Sequence, residues 1–242
     1  MSDQVQSGGS SSSNGGLSIK KLIAEALGTF GLTFCACSVA VTTKCAVVPT
    51  SLAFGFVIVA MAYSIGNVSG CHINPAVSLC MLIRKKMSLS EFGGYVGAQF
   101  AGGLIGSAIL GLCLRGGYNE LGSNSIQEKL FNGQKKKDGW SYVDALLIEI
   151  IMTFFFLLAI KGATDSKFVS NHAGIVIGLT LALLVGFGLN LTGCSVNPAR
   201  SFAPAVLEAI SDKKDAIEQI WIFIVGPLIG SALSALVYGA LV

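Results

Sequence analysis

Gly70-Cys71-His72-Ile73-Asn74-Pro75-Ala76 and, 123 residues further on, Gly193-Cys194-Ser195-Val196-Asn197-Pro198-Ala199-Arg200 decide how this chain folds. Each stretch follows a long apolar run and precedes a short, largely apolar segment. Asn is a favoured helix N-cap and Pro is favoured at the first helical position. Each Asn-Pro-Ala therefore reads as the start of a helix. The flanking hydrophobicity puts both starts inside a bilayer. A helix N-terminus carries unsatisfied N–H groups and partial positive charge. At membrane depth it is tolerated only against protein or a water-filled cavity. Two such termini, one in each half of the chain, predict a pore.

Composition sets the class around them. Of 242 residues, 52% are hydrophobic and 12% are charged, and the mean hydropathy is +0.71. Soluble domains carry about 25% charge. This is the make-up of a polytopic membrane protein in a lipid bilayer. The basic residues lie at segment ends without a stripe or interleaved aromatics, so no nucleic-acid partner is expected. Six apolar segments approach the roughly 20 residues a span needs: 19–43, 50–68, 88–114, 142–162, 171–190 and 217–242. Between them lie 74–83 and 197–210, each about 15–20 Å long as a helix. Neither crosses a ~30 Å core alone, but two meeting tip to tip could.

The chain repeats itself. Glu25-x-x-x-Thr29-Phe30 returns as Glu149-x-x-x-Thr153-Phe154, and Leu104-Ile105-Gly106-Ser107-Ala108 as Leu228-Ile229-Gly230-Ser231-Ala232. Each half has three spans, so the second must enter from the opposite side. That is an inverted repeat with its site near the midplane. The expected fold is an all-α polytopic membrane protein with six spans and two re-entrant half-helices. Residues 1–16 read as a disordered Ser/Gly-rich tail and 17–242 as one channel domain. Within it, 17–114 is the first repeat, 115–140 the connecting loop and 141–242 the second repeat.

These motifs, together with Thr192-Gly193-Cys194-Ser195-Val196-Asn197-Pro198-Ala199-Arg200-Ser201-Phe202, resemble the aquaporins, or major intrinsic proteins, from about residue 19 to the C-terminus. The resemblance implies a passive pore within each subunit and a homotetramer. Ser201, where the glycerol branch carries Asp, resembles the water branch, as do Ala205 and Phe223. Ile224 departs from the Trp common there. Similarity to bacterial water channels implies the inner membrane.

In this reading the oxygens of Asn74 and Asn197 cap their own half-helices and their amide N–H groups face the pore. Pro75, Ala76, Pro198 and Ala199 complete the two motifs. Proton and ion exclusion follows from the two positive helix ends. The resemblance puts Phe54, Val185, Cys194 and Arg200 at the selectivity filter. Val185 stands where strict water channels have His. It widens one wall and opens an alternative, a channel for small neutral solutes such as ammonia, hydrogen peroxide or glycerol. His72 is a pore-lining or gating residue, or a structural one. Buried Glu25 and Glu149 are expected, by resemblance, to hold the re-entrant loops.

No nucleophile is paired with a base, so an enzyme is not expected, nor is a metal or a cofactor. The seven cysteines read as reduced thiols, mostly buried. The dense cluster Arg84-Lys85-Lys86 favours both termini on the cytoplasmic side. Gly102, Gly106, Gly226 and Gly230 suit close helix packing.

Overall fold

The computed structural model describes residues 17–114, 117–127, 139–165 and 171–242. The proposed tail 1–16 lies outside the described residues, as does most of the connecting loop. The described residues are all helical or irregular. The first span is α1 (Ile19–Gly31), a π-helical turn (Leu32–Ala36) and α2 (Cys37–Thr42). There follow α3 (Val47–Ser69), α4 (Pro75–Ile83), α5 (Leu89–Cys113), α6 (Gly139–Thr164), α7 (Ala173–Gly188), α8 (Pro198–Ile210), the single turn α9 (Asp215–Glu218) and α10 (Ile220–Leu241).

Five of these segments are long and apolar enough to cross a membrane. The sixth, α7, differs from the expected 20 residues. It is a 16-residue helix about 24 Å long. It stops at Gly188 because the chain there turns into the second re-entrant loop. Another departure is the π-helical turn. Thr33 donates from Oγ1 to Thr29 O at 3.1 Å and to Gly103 O of α5 at 3.1 Å. A π-helical turn is rare and occurs mostly as a single wider turn inside an α-helix.

The two repeats pack alike: α1 lies along α5, and α6 along α10. Small residues allow it. A Cβ on Gly102 would strike the Ala26 carbonyl, and one on Gly230 would strike the Ile150 carbonyl. Gly106 and Gly226 are also tight, a Cβ there lying 2.7 Å from Phe30 O and 2.8 Å from Glu149 Cβ. Between the halves, α3 meets α7 at Gly55 and Gly178, again 123 residues apart. A Cβ on Gly55 would lie 2.7 Å from Gly178 O, and one on Gly178 would lie 2.6 Å from Gly55 O. Reciprocal contact between equivalent residues is what a two-fold relation between the repeats requires.

Polarity is arranged for lipid. Leu112, Leu183 and Phe187 are exposed on the outside, while Glu25, Gln99 and Glu149 are fully buried. Three cysteines fall outside expectation. Cys35, Cys45 and Cys113 are exposed on the outer surface, because their helix faces and turn point away from the core. All seven thiols are free.

Candidate functional site

The site is built from the two loops that precede α4 and α8. Both use the same backbone. Gly70 and Gly193 have φ of +86° and +80°, Cys71 and Cys194 +49° and +52°, Ile73 and Val196 +40° and +46°. Left-handed φ at a β-branched residue is strained and persists only where the surroundings impose it. The surroundings here are two buried carboxylates. Glu25 accepts from His72 N at 2.9 Å, Ile73 N at 2.6 Å, Ser69 Oγ at 2.7 Å and Gln99 Nε2 at 2.8 Å. Glu149 accepts from Ser195 N at 2.9 Å, Val196 N at 3.0 Å and Thr192 Oγ1 at 2.6 Å. Neither carboxylate lines the cavity. They stand behind the loops and satisfy the backbone donors that the strained turns direct at them.

Each loop ends in a capped helix. Asn74 Oδ1 accepts from Ala76 N at 2.8 Å, and Asn197 Oδ1 accepts from Ala199 N at 3.1 Å and Arg200 N at 3.3 Å. Pro75 and Pro198 occupy the first helical positions, where no N–H is missed. The caps also bind across the repeats. Asn74 Nδ2 donates to Val196 O at 2.7 Å, and Asn197 Nδ2 donates to Ile73 O at 2.9 Å. A side-chain amide has two N–H donors. One from each Asn is thus committed to the opposite loop, and one is left. The half-helices are cross-tied at their tips by this reciprocal pair. Ala76 O, one turn on, accepts from Ser231 Oγ at 2.6 Å, which ties the first half-helix to α10.

A cavity of about 630 Å³ runs past these tips. Asn74 and Asn197 both line it, as do His72, Phe54, Val185, Cys194 and Arg200. Every residue that the sequence assigned to a filter or gate therefore faces one cavity. Pro75, Ala76, Pro198 and Ala199 are buried in the half-helix stems behind it. The cavity wall is otherwise mainly aliphatic, with Leu32, Ile58, Val77 and Ile177 among its residues. His72 is held in place: Nδ1 lies 3.1 Å from Ser78 Oγ, and the ring packs on Tyr95 with centroids 5.1 Å apart.

Arg200 is 3% exposed, and its Nη1 donates to Gly122 O at 2.9 Å and Asn124 Oδ1 at 2.6 Å. Its Nε is buried with no protein partner. A buried charged donor without a partner is costly, and the two bonds of Nη1 offset that cost. The guanidinium carbon lies 4.8 Å from the centroid of the Phe54 ring. A water between two planar groups needs roughly twice a 3.5 Å contact. The gap between Arg200 and Phe54 is therefore too narrow to hold a water.

Sequence reading missed Asn124. It accepts from both Arg200 and Ser201 Oγ, the latter at 2.8 Å, and fixes the guanidinium. Its loop is anchored by Glu208, which accepts from Leu121 N at 2.7 Å and Ser123 Oγ at 2.5 Å, and by Gln219, which accepts from Ile126 N at 2.8 Å. A signal existed: Leu121 and Ile126 are apolar residues in a polar stretch, and both are buried. Among the described residues, no group of three or more His, Cys, Asp or Glu could hold a metal ion.

Comparison with known proteins fits this geometry. The sequence model of the family described as major intrinsic protein matches residues 12–238. The chain is 35% identical to an aquaporin Z of Rhodopseudomonas palustris over 233 residues, 93% of this chain and 94% of the relative. It is 35% identical to an aquaporin Z of Bradyrhizobium diazoefficiens over 228 residues, 92% and 93% of the two chains. Among solved structures, the fold is similar to the aquaglyceroporin of Plasmodium falciparum, with a TM-score of 0.78 at 23% identity, over 91% of this chain and 95% of that one.

Proposed function

The chain belongs to the major intrinsic protein family, and on that premise we propose that it is a passive transmembrane water channel. One observation carries the reading. Asn74 and Asn197 meet across the cavity with one amide N–H each still free, at the tips of two opposed half-helices. A water passing there accepts from both and turns its own hydrogens away, which interrupts the file of hydrogen bonds along which a proton would hop. The partial positive charge of the two helix ends repels cations at the same point. Aliphatic walls elsewhere make few bonds that would hold a water back. The name of the two aquaporin Z relatives supports the same reading.

Passage through the filter depends on Arg200, Phe54, Val185 and Cys194. The guanidinium of Arg200, held by Gly122 and Asn124, brings its positive charge to the cavity wall and favours a polar solute. Val185 lines the same cavity and supplies neither bulk nor a polar side-chain atom. That favours, as a second reading, passage of small neutral solutes beside water. Glu25 and Glu149 act as loop supports, and His72 lines the mouth on the side of the chain ends. We assign the protein to a bacterial inner membrane as a homotetramer with cytoplasmic termini. Residues 17–114 and 141–242 are its two repeats. Its work is conduction, not chemical conversion.

Stopped-flow light scattering on proteoliposomes tests this. Under an impermeant osmolyte, shrinkage much faster than in empty liposomes is expected. Under a glycerol gradient, fast shrinkage without re-swelling assigns a strict water channel. Shrinkage followed by re-swelling assigns the broader solute range. Shrinkage at the rate of empty liposomes refutes an open pore.

A further inference from the structure

A polar cavity of about 330 Å³ lies on the face that carries both chain ends. It is walled by the ends of three elements: Arg84 and Lys86 after α4, Lys161 of α6, and Tyr238 of α10. Three cations face one carboxylate, Asp165, which already accepts from Tyr238 Oη at 2.7 Å.

The cations are poorly satisfied. Lys161 is 7% exposed, yet the acceptor of its Nζ is the thioether of Met81 at 3.5 Å. A thioether is a weak acceptor, and a buried ammonium without a strong acceptor in hydrogen-bond reach is costly. Arg84 stacks on the Tyr238 ring, with its guanidinium carbon 5.9 Å from the centroid, and its Nε is buried without a partner. Among the described residues, neither Arg84, Lys86 nor Lys161 forms an ion pair. Three donor groups from separate directions leave room for about eleven water volumes, at about 30 Å³ each.

We propose that this cavity, formed by Arg84, Lys86 and Lys161, binds a phosphate group. A tetrahedral phosphate offers several acceptor oxygens to converging donors, and Arg and Lys are its usual partners. The position fits: helix ends reach the level of lipid headgroups, where basic pockets between spans take anionic heads. An anionic phospholipid and free inorganic phosphate share this chemistry. The cavity also shares Met81 and Thr164 with the pore cavity, so a bound phosphate lies beside the pore mouth.

The test uses the full chain in nanodiscs of equal parts phosphatidylglycerol and phosphatidylcholine, with native mass spectrometry reading the retained lipid. Titration of inorganic phosphate into protein in a neutral detergent is the second arm. The wild type is expected to retain phosphatidylglycerol over phosphatidylcholine or to bind phosphate, in either case through this site. The double variant Arg84→Gln/Lys161→Gln should lose about a hundredfold, since each of the two lost charged hydrogen bonds is worth about tenfold. Lys20→Gln/Lys85→Gln removes two charges from the same face outside the cavity and should change neither arm. Lys86→Glu reverses an exposed lining charge without disturbing buried ones, and should weaken binding in a chain that folds normally. Retention of phosphatidylglycerol without phosphate binding assigns the lipid, and the reverse assigns the soluble anion. Equal losses in the lining and control variants, or binding in neither arm, overturn the proposal.

Discussion

Replacing Glu149 by Gln changes one oxygen for an NH2 and almost nothing in volume, so it isolates what the carboxylate does. Oε1 serves Thr192 Oγ1 and Ser195 N, and Oε2 serves Val196 N. With the amide oxygen in the first place, the new NH2 confronts the Val196 N–H. Turned round, it confronts the Ser195 N–H, although the Thr192 hydroxyl can rotate to accept. Either way one buried backbone donor is left unpaired, at a cost of about 1–3 kcal/mol. Glu149→Ala orphans both N–H groups, roughly 2–6 kcal/mol before any cavity is counted. The loop has a reason to use that loss. Cys194 and Val196 are both at positive φ, and without their partners they relax. Asn197 then leaves its bond to Ile73 O. A loss of about 1.4 kcal/mol lowers the ratio of seated to displaced loop tenfold. Denaturant unfolding followed by circular dichroism reads the first effect, and osmotic shrinkage of proteoliposomes reads the second. Because the two Asn caps tie the loops together, Glu25→Gln/Glu149→Gln should depart from additivity. If Glu149→Gln unfolds and conducts like the wild type, the carboxylate does not hold the loop and the reasoning fails.

Val185→His puts bulk and a polar ring into the cavity wall, so any re-swelling in glycerol should slow severalfold while water shrinkage persists; unchanged glycerol entry would locate the constriction elsewhere. A mercurial should block water flux through Cys194, and Cys194→Ser should relieve the block; a block that persists would move the reactive thiol to Cys71. Asn124→Ala takes the 2.6 Å acceptor from Arg200 and should cost about 1–3 kcal/mol in unfolding while loosening solute exclusion, both measured as above. Gly102→Ala drives a methyl into the Ala26 carbonyl and should destabilise by about 1–3 kcal/mol, whereas Gly97→Ala, with open space, should be neutral.

What was legible in the sequence was local or repeated. A cap residue followed by Pro announces a helix start wherever it occurs, so both half-helices were readable to within a residue. The 123-residue offset made the inverted repeat readable without any contact being known. Glu25 and Glu149 stood out because acids are costly inside spans. Their partners Ser69, Gln99 and Thr192 did not, since neutral polar residues carry no mark of what they meet. The Gly55–Gly178 contact was hidden among 30 glycines. Asn124 was hidden because its role depends on a loop folding back onto a half-helix 76 residues away. The π-helical turn at Leu32–Ala36 has no sequence signature, although its Thr33 binds Gly103 O on another helix.

The most direct test of the account follows water and protons in the same vesicles. Proteoliposomes carrying a trapped pH-sensitive dye are given an osmotic step in one experiment and a pH step in the next. The account predicts shrinkage far faster than in empty liposomes, with proton entry no faster than in empty ones. Proton entry that rises with the amount of protein would contradict the part assigned to Asn74 and Asn197. Shrinkage at the empty-liposome rate would contradict the pore itself.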